Sequence, residues 1–217
     1  MKRLRVALSK GRLLEPTLAV FGRAGFPVPD GRDLQSRRLV FRDGEIEWIL
    51  VKDGDVVVYV EHGAADLGVV GLDQILESEP DVASCLSLPF GRCRMMLISR
   101  PDEPPINTVS NPVVATKYPR LTERWLSAKG VTAEIARLSG SIELAAVLGL
   151  APYIVDLVET GTTIRVNGLR EMESVSGIEP RLIANRHAMR VEPETVRTFV
   201  ERVRSGIENS GVEELAS

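Results

Sequence analysis

The chain has 217 residues, of which 44% are hydrophobic and 26% are charged, with a formal net charge of −3 and a pI of about 5.6. This length allows one large α/β domain or two small lobes, and the composition is that of a globular protein. The mild negative charge excludes the basic surface by which proteins bind nucleic acid. No apolar run approaches the ~20 residues needed to span a bilayer.

The chain passes from Met1 directly into an alternating strand pattern, without the apolar stretch and cleavage site of a signal peptide. We therefore expect a cytoplasmic protein. Two cysteines, Cys85 and Cys93, and two histidines, His62 and His187, lack the spacing of metal ligands. We expect reduced thiols and assign no metal to protein side chains.

In the first half of the chain, hydrophobic periodicity predicts strands separated by helices. The predicted elements are a strand at Leu4–Leu8, a helix from Leu13 to Phe21 that ends before Gly25, a hairpin of Leu39–Phe41 and Ile46–Val51, a strand within Ala64–Gly71 and a helix from Leu72 to Leu76. For Val56–Val60 the pattern does not separate helix from strand.

The second half continues the same alternation. The predicted elements are strands at Met95–Ser99, Val113–Thr116, Glu134–Leu138, Ile154–Val158 and Arg181–Asn185, helices at Thr122–Ala128, Ser139–Leu148, Arg165–Met172 and Glu192–Ile207, and a frayed tail from Glu208. This order predicts an α/β fold with mainly parallel strand pairing. The turn Pro101–Pro105 and the polar stretch Glu173–Pro180 would flank a middle lobe, and the final helix would return to the first lobe.

The turn after the strand Ile154–Val158 has the composition of a phosphate site. Its candidate ligands are Asp156, Glu159, Thr160, Gly161, Thr162 and Thr163. The glycine can adopt a positive φ and expose its amide, the threonines offer hydroxyl donors, and a following helix begins with unpaired N–H groups. An acid beside a phosphate is tolerated where it faces sugar hydroxyls or a metal ion, so the pattern favours a phosphorylated ribose. An ordinary strand–turn–helix with threonine caps explains the same residues equally well.

Other turns also contain residues that could bind an anion or a ligand. Lys10-Gly11-Arg12 lies between the first strand and the first helix, and is either an anion site or a solvated basic turn. Ser139–Glu143 is a small-residue turn at a helix start, where Glu143 could orient ligand hydroxyls or balance the helix dipole. Asp66 and Asp73 could each be a simple helix cap.

Five segments, taken together and in this order, resemble the ATP phosphoribosyltransferase family in its short form, the first enzyme of histidine biosynthesis. They are Leu8–Leu13, Tyr59–Gly68, Val114–Pro119, Gly140–Leu144 and Ile154–Leu169. The resemblance implies a two-lobed fold like that of type II periplasmic binding proteins, with the substrates in the interlobe cleft. Lobe I would comprise residues 1–91 and 180–217, and lobe II residues 92–179.

The resemblance also implies the reaction: phosphoribosyl passes from phosphoribosyl pyrophosphate to N1 of ATP, and pyrophosphate leaves. Mg²⁺ would be carried with the substrates. The loop Asp156–Thr163 would bind the donor, and Asp156, Glu143 and Arg12 would be catalytic. ATP would contact Lys10, Gly11, Arg12, Lys52, Asp66 and Asp73. The implied partners are a regulatory subunit similar to histidyl-tRNA synthetase and a second copy of this chain, as a homodimer within a hetero-oligomer.

One departure from the family pattern concerns ATP binding. Relatives mostly carry an Arg-Pro-x-Asp-like stretch where this chain has Lys52-Asp53-Gly54-Asp55. Lys52 keeps the positive charge but lacks the bidentate fork of arginine.

Two other classes of protein stay open. A bilobal binding module without catalysis would share the fold. A phosphoribosyltransferase that acts on a free base would share the loop, although such loops usually follow paired acids, and here Val155 stands beside Asp156. The chain has no P-loop and no G-x-G-x-x-G pattern, which argues against a kinase or a P-loop nucleotidase.

Overall fold

A computed structural model describes residues 3–36 and 38–208. The strands and helices are β1 (Leu4–Ser9), α1 (Leu14–Arg23), α2 (Gly31–Gln35), β2 (Val40–Asp43), β3 (Ile46–Val51), α3 (Asp55–Glu61), β4 (Leu67–Gly71), α4 (Leu72–Ser78), β5 (Val82–Ser87), β6 (Cys93–Ser99), a 3₁₀ turn (Ile106–Thr108), β7 (Val113–Thr116), α5 (Pro119–Ala128), β8 (Glu134–Arg137), α6 (Glu143–Val147), β9 (Tyr153–Val158), α7 (Thr162–Val166), β10 (Arg170–Ile178), β11 (Pro180–Asn185), α8 (Arg186–Val191) and α9 (Pro193–Glu208). The tail predicted to be frayed lies outside the described residues from 209 onward. None of the helices within the described ranges is long and apolar enough to cross a membrane.

The chain forms two compact units, Met1–Gly91 with Glu179–Ser217, and Arg92–Ile178. The first unit contains a six-stranded sheet in the order β2-β3-β1-β4-β11-β5, and the second a five-stranded sheet in the order β10-β6-β9-β7-β8. The predicted α/β class is confirmed. Glu179 lies in the first unit, one residue before the boundary predicted from the sequence.

The expectation of mainly parallel pairing is wrong. β1 is parallel to β3 and β4, and β7 is parallel to β8 and β9, but the other five described pairs are antiparallel. Helical crossovers return the chain to the same end of the sheet and so make parallel neighbours. No such crossover connects β2 and β3, which form a hairpin. None connects the strands by which the chain enters and leaves the second unit.

The helix predicted over Arg165–Met172 is wrong beyond Val166, where α7 ends. Gly168 has a φ of +69°, and the chain then becomes the edge strand β10. The apolar residues of β10 stand three apart, at 172, 175 and 178, because register shifts against β6 interrupt the two-residue alternation. The undecided segment Val56–Val60 lies within α3, and α2, β5 and α8 have no counterpart in the sequence-based prediction.

The first unit has an apolar cluster on each face of its sheet. On one face the rings of Phe21 and Trp48 stack at 5.5 Å, and those of Phe26 and Phe199 stack at 4.4 Å, which binds α9 to the N-terminal half of the unit. On the other face the valines of α3 pack against β1, β4 and β11. The unit is therefore held together by segments from both ends of the chain.

In the second unit α6 and α7 lie on the same face of the sheet. Ile142 and Ala145 at α6 and Ile164 of α7 belong to one buried cluster with Ile154 and Val158 of β9. The turns that begin these two helices are thereby fixed against a common strand. Cys85 and Cys93 are free thiols, and burial raises the pKa of Cys85.

Candidate active site

In the first unit, three parallel strands end at the same edge of the sheet. β1 leads into Lys10-Gly11-Arg12, β3 into Lys52-Asp53-Gly54, and β4 into α4 with Asp73 in its first turn. The carboxyl edge of parallel strands is where α/β sheets bind ligands. The structure thus brings together five of the six residues predicted to contact ATP.

A partly buried hydrogen bond joins two of these turns. Ser9 is 5% exposed, and its hydroxyl donates to Asp53 Oδ1 at 2.9 Å. The backbone N–H of Lys10 donates to the carbonyl of Val51 at 2.8 Å. Lys10, Arg12 and Lys52 are exposed, so their cationic groups can reach an anion while the backbone beneath them is fixed.

The position of the Asp73 side chain requires a glycine at position 71. Asp73 is 2% exposed, and Gln74 Nε2 donates to its Oδ2 at 2.7 Å. A Cβ atom added to Gly71 would lie 2.1 Å from Asp73 Oδ1. The absence of a side chain at Gly71 therefore allows this carboxylate to sit at the end of β4.

Asp66 is the one predicted ATP contact that lies elsewhere. It precedes β4 at the amino edge of the sheet, opposite Arg5 and about 13 Å from Ser9 at a strand rise of about 3.3 Å per residue. Its carboxylate accepts from the backbone N–H of Arg5 at 2.9 Å, from Nε at 3.1 Å and from Nη2 at 2.7 Å. The hydrogen bond to Asp66 raises the pKa of the Arg5 guanidinium. This position and pairing give Asp66 a structural role.

In the second unit β7, β8 and β9 are parallel, so the turns that follow them also share one edge. These turns contain Lys117, Ser139–Glu143 and Glu159–Thr163 respectively. Thr116, fully buried at the end of β7, donates from its hydroxyl to Val155 O at 2.8 Å and accepts from the N–H of Tyr118 at 2.9 Å. These bonds attach the turn after β7 to β9.

The predicted donor loop is a short turn with outward-facing hydroxyls. The side chains of Glu159, Thr160, Thr162 and Thr163 are exposed. The hydroxyls of Thr160 and Thr162 lie 3.0 Å apart, and the first helical bond of α7 runs from Arg165 N to Gly161 O at 3.1 Å. Arg165 also donates from Nη1 to Thr160 O at 3.0 Å and from Nη2 to Thr162 Oγ1 at 3.2 Å. A guanidinium group therefore lies beside the threonine hydroxyls.

Gly161 is required in this loop for two separate reasons. Its φ is +72°, in the left-handed region that favours glycine. A Cβ atom there would lie 2.7 Å from Glu171 Oε1 and 3.1 Å from Arg165 Nη1. Glu171 is itself held by Arg94, whose Nη1 lies 2.9 Å from its Oε2.

The two carboxylates predicted to be catalytic belong to this same unit. Asp156 is half-buried on β9 and, by strand alternation, lies on the face of the sheet that α6 covers. Glu143 is the first residue of α6 and is also half-buried. Across the described parts of the chain, no three His, Cys, Asp or Glu side chains group closely enough to hold a metal ion.

The sequence is similar to proteins of one enzyme family. Residues 52–205 match the family model "HisG: ATP phosphoribosyltransferase". A Geobacter metallireducens protein named ATP phosphoribosyltransferase is 43% identical over 91% of this chain and 95% of its own length. One from Sorangium cellulosum is 41% identical over 97% of this chain and 99% of its own. The chain belongs to the ATP phosphoribosyltransferase family.

The fold of this ATP phosphoribosyltransferase family member is also found in a solved structure. This chain is similar, with a TM-score of 0.83 and 30% identity, to a chain of the ATP phosphoribosyl transferase (HisG:HisZ) complex from Thermotoga maritima. The similarity covers 95% of this chain and 100% of that one. The predicted fold, like that of periplasmic binding proteins, is confirmed.

Sequence reasoning did not single out two residues that support these turns. Ser9 has no sequence signal, because its partner Asp53 is 44 positions away. Arg165 follows the threonines by one helical turn, a spacing that could have indicated its contact with them.

Proposed function

We propose that this chain transfers the phosphoribosyl group of phosphoribosyl pyrophosphate to N1 of ATP, the first step of histidine biosynthesis. Besides the family, the observation that supports this most is the loop Glu159–Thr163. It combines a positive-φ glycine, exposed threonine hydroxyls and the guanidinium of Arg165. Such a loop suits the 5′-phosphate of a sugar, since amides, hydroxyls and a guanidinium are all hydrogen-bond donors. Because α7 has only five residues, we assign the affinity to these donors more than to its dipole.

The two predicted catalytic carboxylates of the second unit position the ribose. Asp156 and Glu143 accept hydrogen bonds from the ribose hydroxyls, which fixes C1 of the sugar relative to the bound phosphate. Neither is asked to transfer a proton, because N1 of adenine attacks with its own lone pair and pyrophosphate departs as an anion. Holding the two substrates in line supplies most of the acceleration.

The turns at the carboxyl edge of the first sheet are the proposed ATP site. Lys10, Arg12 and Lys52 offset the triphosphate charge, and the exposed amide of Gly11 is a further donor. Arg12 also stabilises the departing pyrophosphate. Asp73 remains a proposed contact, at the same edge. We leave Asp66 out of this site because Arg5 already occupies its carboxylate.

Mg²⁺ fits this donor set as a substrate-borne ion. It keeps several waters and is usually bound through one or two carboxylates together with phosphates. Asp156 and Glu143 are the side chains that would hold its waters. When bound, Mg²⁺ neutralises charge that develops on the departing pyrophosphate.

We also propose that the chain works in the cytoplasm with a HisZ-like regulatory subunit, as homodimers within a hetero-oligomer. The support is the Thermotoga maritima relative, which was solved as a HisG:HisZ complex.

The test is an assay for pyrophosphate release from ATP, Mg²⁺ and phosphoribosyl pyrophosphate, with and without the regulatory subunit. We expect turnover with ATP and none when free bases replace it. Binding of both substrates without turnover, even with the regulatory subunit, would favour a binding module instead. Asp156→Asn should lower kcat by roughly 10²-fold, the scale of losing reactant alignment.

A further inference from the structure

The carboxylate of Glu171, near the start of β10, lies against the backbone of the donor loop Glu159–Thr163. Its Oε1 would be 2.7 Å from a Cβ atom on Gly161, and Nη1 of Arg165 would be 3.1 Å from the same point. An acid and a base therefore converge on one glycine of the loop that we propose binds the sugar phosphate. A carboxylate without compensation in this place would repel a phosphate and attract the guanidinium group that should bind it.

A second cation holds Glu171 in the structure. Arg94 Nη1 lies 2.9 Å from Glu171 Oε2, and the side chains of Arg94 and Glu171 are 50% and 26% exposed. Arg94 stands on β6 opposite Val158, the last residue of β9 before the donor loop. Arg94 thus reaches Glu171 from the strand beside β9, and its positive charge compensates the carboxylate.

Arg165 directs its guanidinium group to other partners within the loop. Its Nη1 donates to Thr160 O at 3.0 Å, and its Nη2 donates to Thr162 Oγ1 at 3.2 Å. If Glu171 lost Arg94, its half-buried charge would be left uncompensated, which is costly, and it would pair with Arg165 instead. The phosphate of the donor would then compete with Glu171 for the same guanidinium group.

We propose that Arg94 is a positioning residue of the donor site. By pairing with Glu171 it keeps this carboxylate away from Arg165, so that the Arg165 guanidinium stays available to the phosphate of the donor. The inference rests on the proposed function, because it takes the donor to bind at this loop. Neither Arg94 nor Glu171 is assigned a contact with the substrate. Loss of both charges together should therefore be less harmful than loss of the positive charge alone.

The test is a double-mutant cycle on the KM for phosphoribosyl pyrophosphate, measured by pyrophosphate release from the full-length chain with its regulatory subunit at saturating ATP and Mg²⁺. Arg94→Gln should raise this KM about tenfold, the scale of one uncompensated charge near a phosphate, and leave the KM for ATP within about twofold. Arg94→Gln/Glu171→Gln should return the KM for the donor to within about threefold of wild type, as should Glu171→Gln alone, because the competing acid is gone. An ion pair that only stabilises the fold predicts the reverse, a double variant at least as impaired as either single one.

Lys129→Gln is the matched control. Lys129 Nζ pairs with Oε2 of Glu173, two residues further along β10, at 2.5 Å. Its loss also leaves a carboxylate of β10 without its cation, but Glu173 is not among the side chains closest to Gly161. The KM for the donor should stay within about twofold of wild type, as expected for an exposed pair. Thermal melts should show that all of these variants are folded.

The outcomes separate this proposal from the proposed function. If the wild type turns over, an unchanged donor KM in Arg94→Gln, or a double variant as impaired as Arg94→Gln, overturns the role of Arg94 alone. If the wild type does not turn over, the proposed function fails, and titration calorimetry with phosphoribosyl pyrophosphate and Mg²⁺ decides the role of Arg94 through the same cycle of dissociation constants. A wild-type chain that binds no phosphoribosyl pyrophosphate would overturn both.

Discussion

At the scale of single residues, the same kind of side chain serves different purposes in different turns. Asp66 is 4% exposed and accepts three hydrogen bonds from Arg5. Asp73 is equally buried but stands at the carboxyl edge, with Gln74 as a hydrogen-bond partner. Removing one partner of a buried ion pair leaves the other charge without compensation, and this is strongly destabilising. The two aspartates should therefore respond differently to substitution.

Asp66→Asn should lower the free energy of unfolding by about 2–3 kcal/mol, below the about 3–5 kcal/mol of a fully buried pair because Arg5 is partly exposed. Urea denaturation measures this change. The KM for ATP should stay within twofold of wild type. Asp81→Asn is the control: Asp81 pairs with Arg186 at an exposed site, so its loss should change stability by less than about 1 kcal/mol. A large rise in the KM for ATP at unchanged stability would instead place Asp66 in the ATP site.

Gly161 and Gly168 allow backbone strain to be separated from steric contact. Both have positive φ, +72° and +69°, so alanine strains the backbone at both by about 1–2 kcal/mol. Only at Gly161 would the new Cβ also meet Glu171 and Arg165; at Gly168 it would meet no atom within 4 Å. Gly161→Ala should raise the KM for phosphoribosyl pyrophosphate at least tenfold, because displacing Arg165 disturbs the donor loop.

Gly168→Ala should lower the melting temperature about as much as Gly161→Ala does. It should leave the KM for phosphoribosyl pyrophosphate unchanged. Steady-state kinetics with the donor as the varied substrate and thermal melts of both variants test this pair. Equal effects of the two substitutions on the KM would mean that backbone strain alone governs the loop and that its contact with Arg165 is irrelevant.

At the scale of elements, the sequence predicted what local periodicity encodes. The apolar run at 154–158 predicted β9, and the glycine and threonines after it predicted the turn and the start of α7, all of which the structure contains. β10 was mistaken in part for a helix because its register shifts space the apolar residues three apart, which imitates helical periodicity. β5 is an edge strand with only one buried residue, Val82, so it has little periodic signal.

The candidate site also has features that the local sequence predicts and others that depend on contacts between distant residues. Composition alone picked out the turns at 10–12 and 159–163, because lysine, arginine, glycine and threonine at strand ends suit anions, whereas the turn at 52–55 came only from the resemblance to the family. It could not show that Asp66 belongs with Arg5, a contact across 61 positions, since two acids after apolar residues look alike in sequence. Nor could it show that Ser9 and Asp53 join the first two turns.

The hydrogen bond between Ser9 and Asp53 supports a prediction about how the turns after β1 and β3 cooperate. Ser9→Ala should raise the KM for ATP severalfold and lower stability by about 1 kcal/mol, because the turns after β1 and β3 lose their shared bond. The KM for phosphoribosyl pyrophosphate should not change. Ser87→Ala is matched in chemistry, since Ser87 also donates to a carboxylate, Glu179 Oε1 at 2.9 Å, and it should cost similar stability without affecting ATP. Identical kinetics of the two variants would show that the Ser9 bond does not position ATP ligands.

At the scale of the whole molecule, the two units differ in how the chain builds them. The second unit is one continuous segment, Arg92–Ile178, and has its own sheet and its own buried cluster. The first unit is made of two segments. Its strand β11 lies between β4 and β5, and Phe199 of α9 stacks with Phe26. The first unit therefore needs the end of the chain before its sheet and core are complete.

This difference predicts the behaviour of two fragments of nearly equal length. A fragment of residues 92–178 should fold alone, with a cooperative thermal transition by circular dichroism, because every strand of its sheet and every helix over its core lies within it. Phosphoribosyl pyrophosphate with Mg²⁺ should raise its melting temperature, since the donor loop, Asp156 and Glu143 are all present. The fragment 1–91 should melt without cooperativity, because β5 has lost β11 and Phe26 has lost Phe199. A cooperative 1–91 fragment, or an unfolded 92–178 fragment, would show that the units depend on each other in a way that their separate cores do not explain.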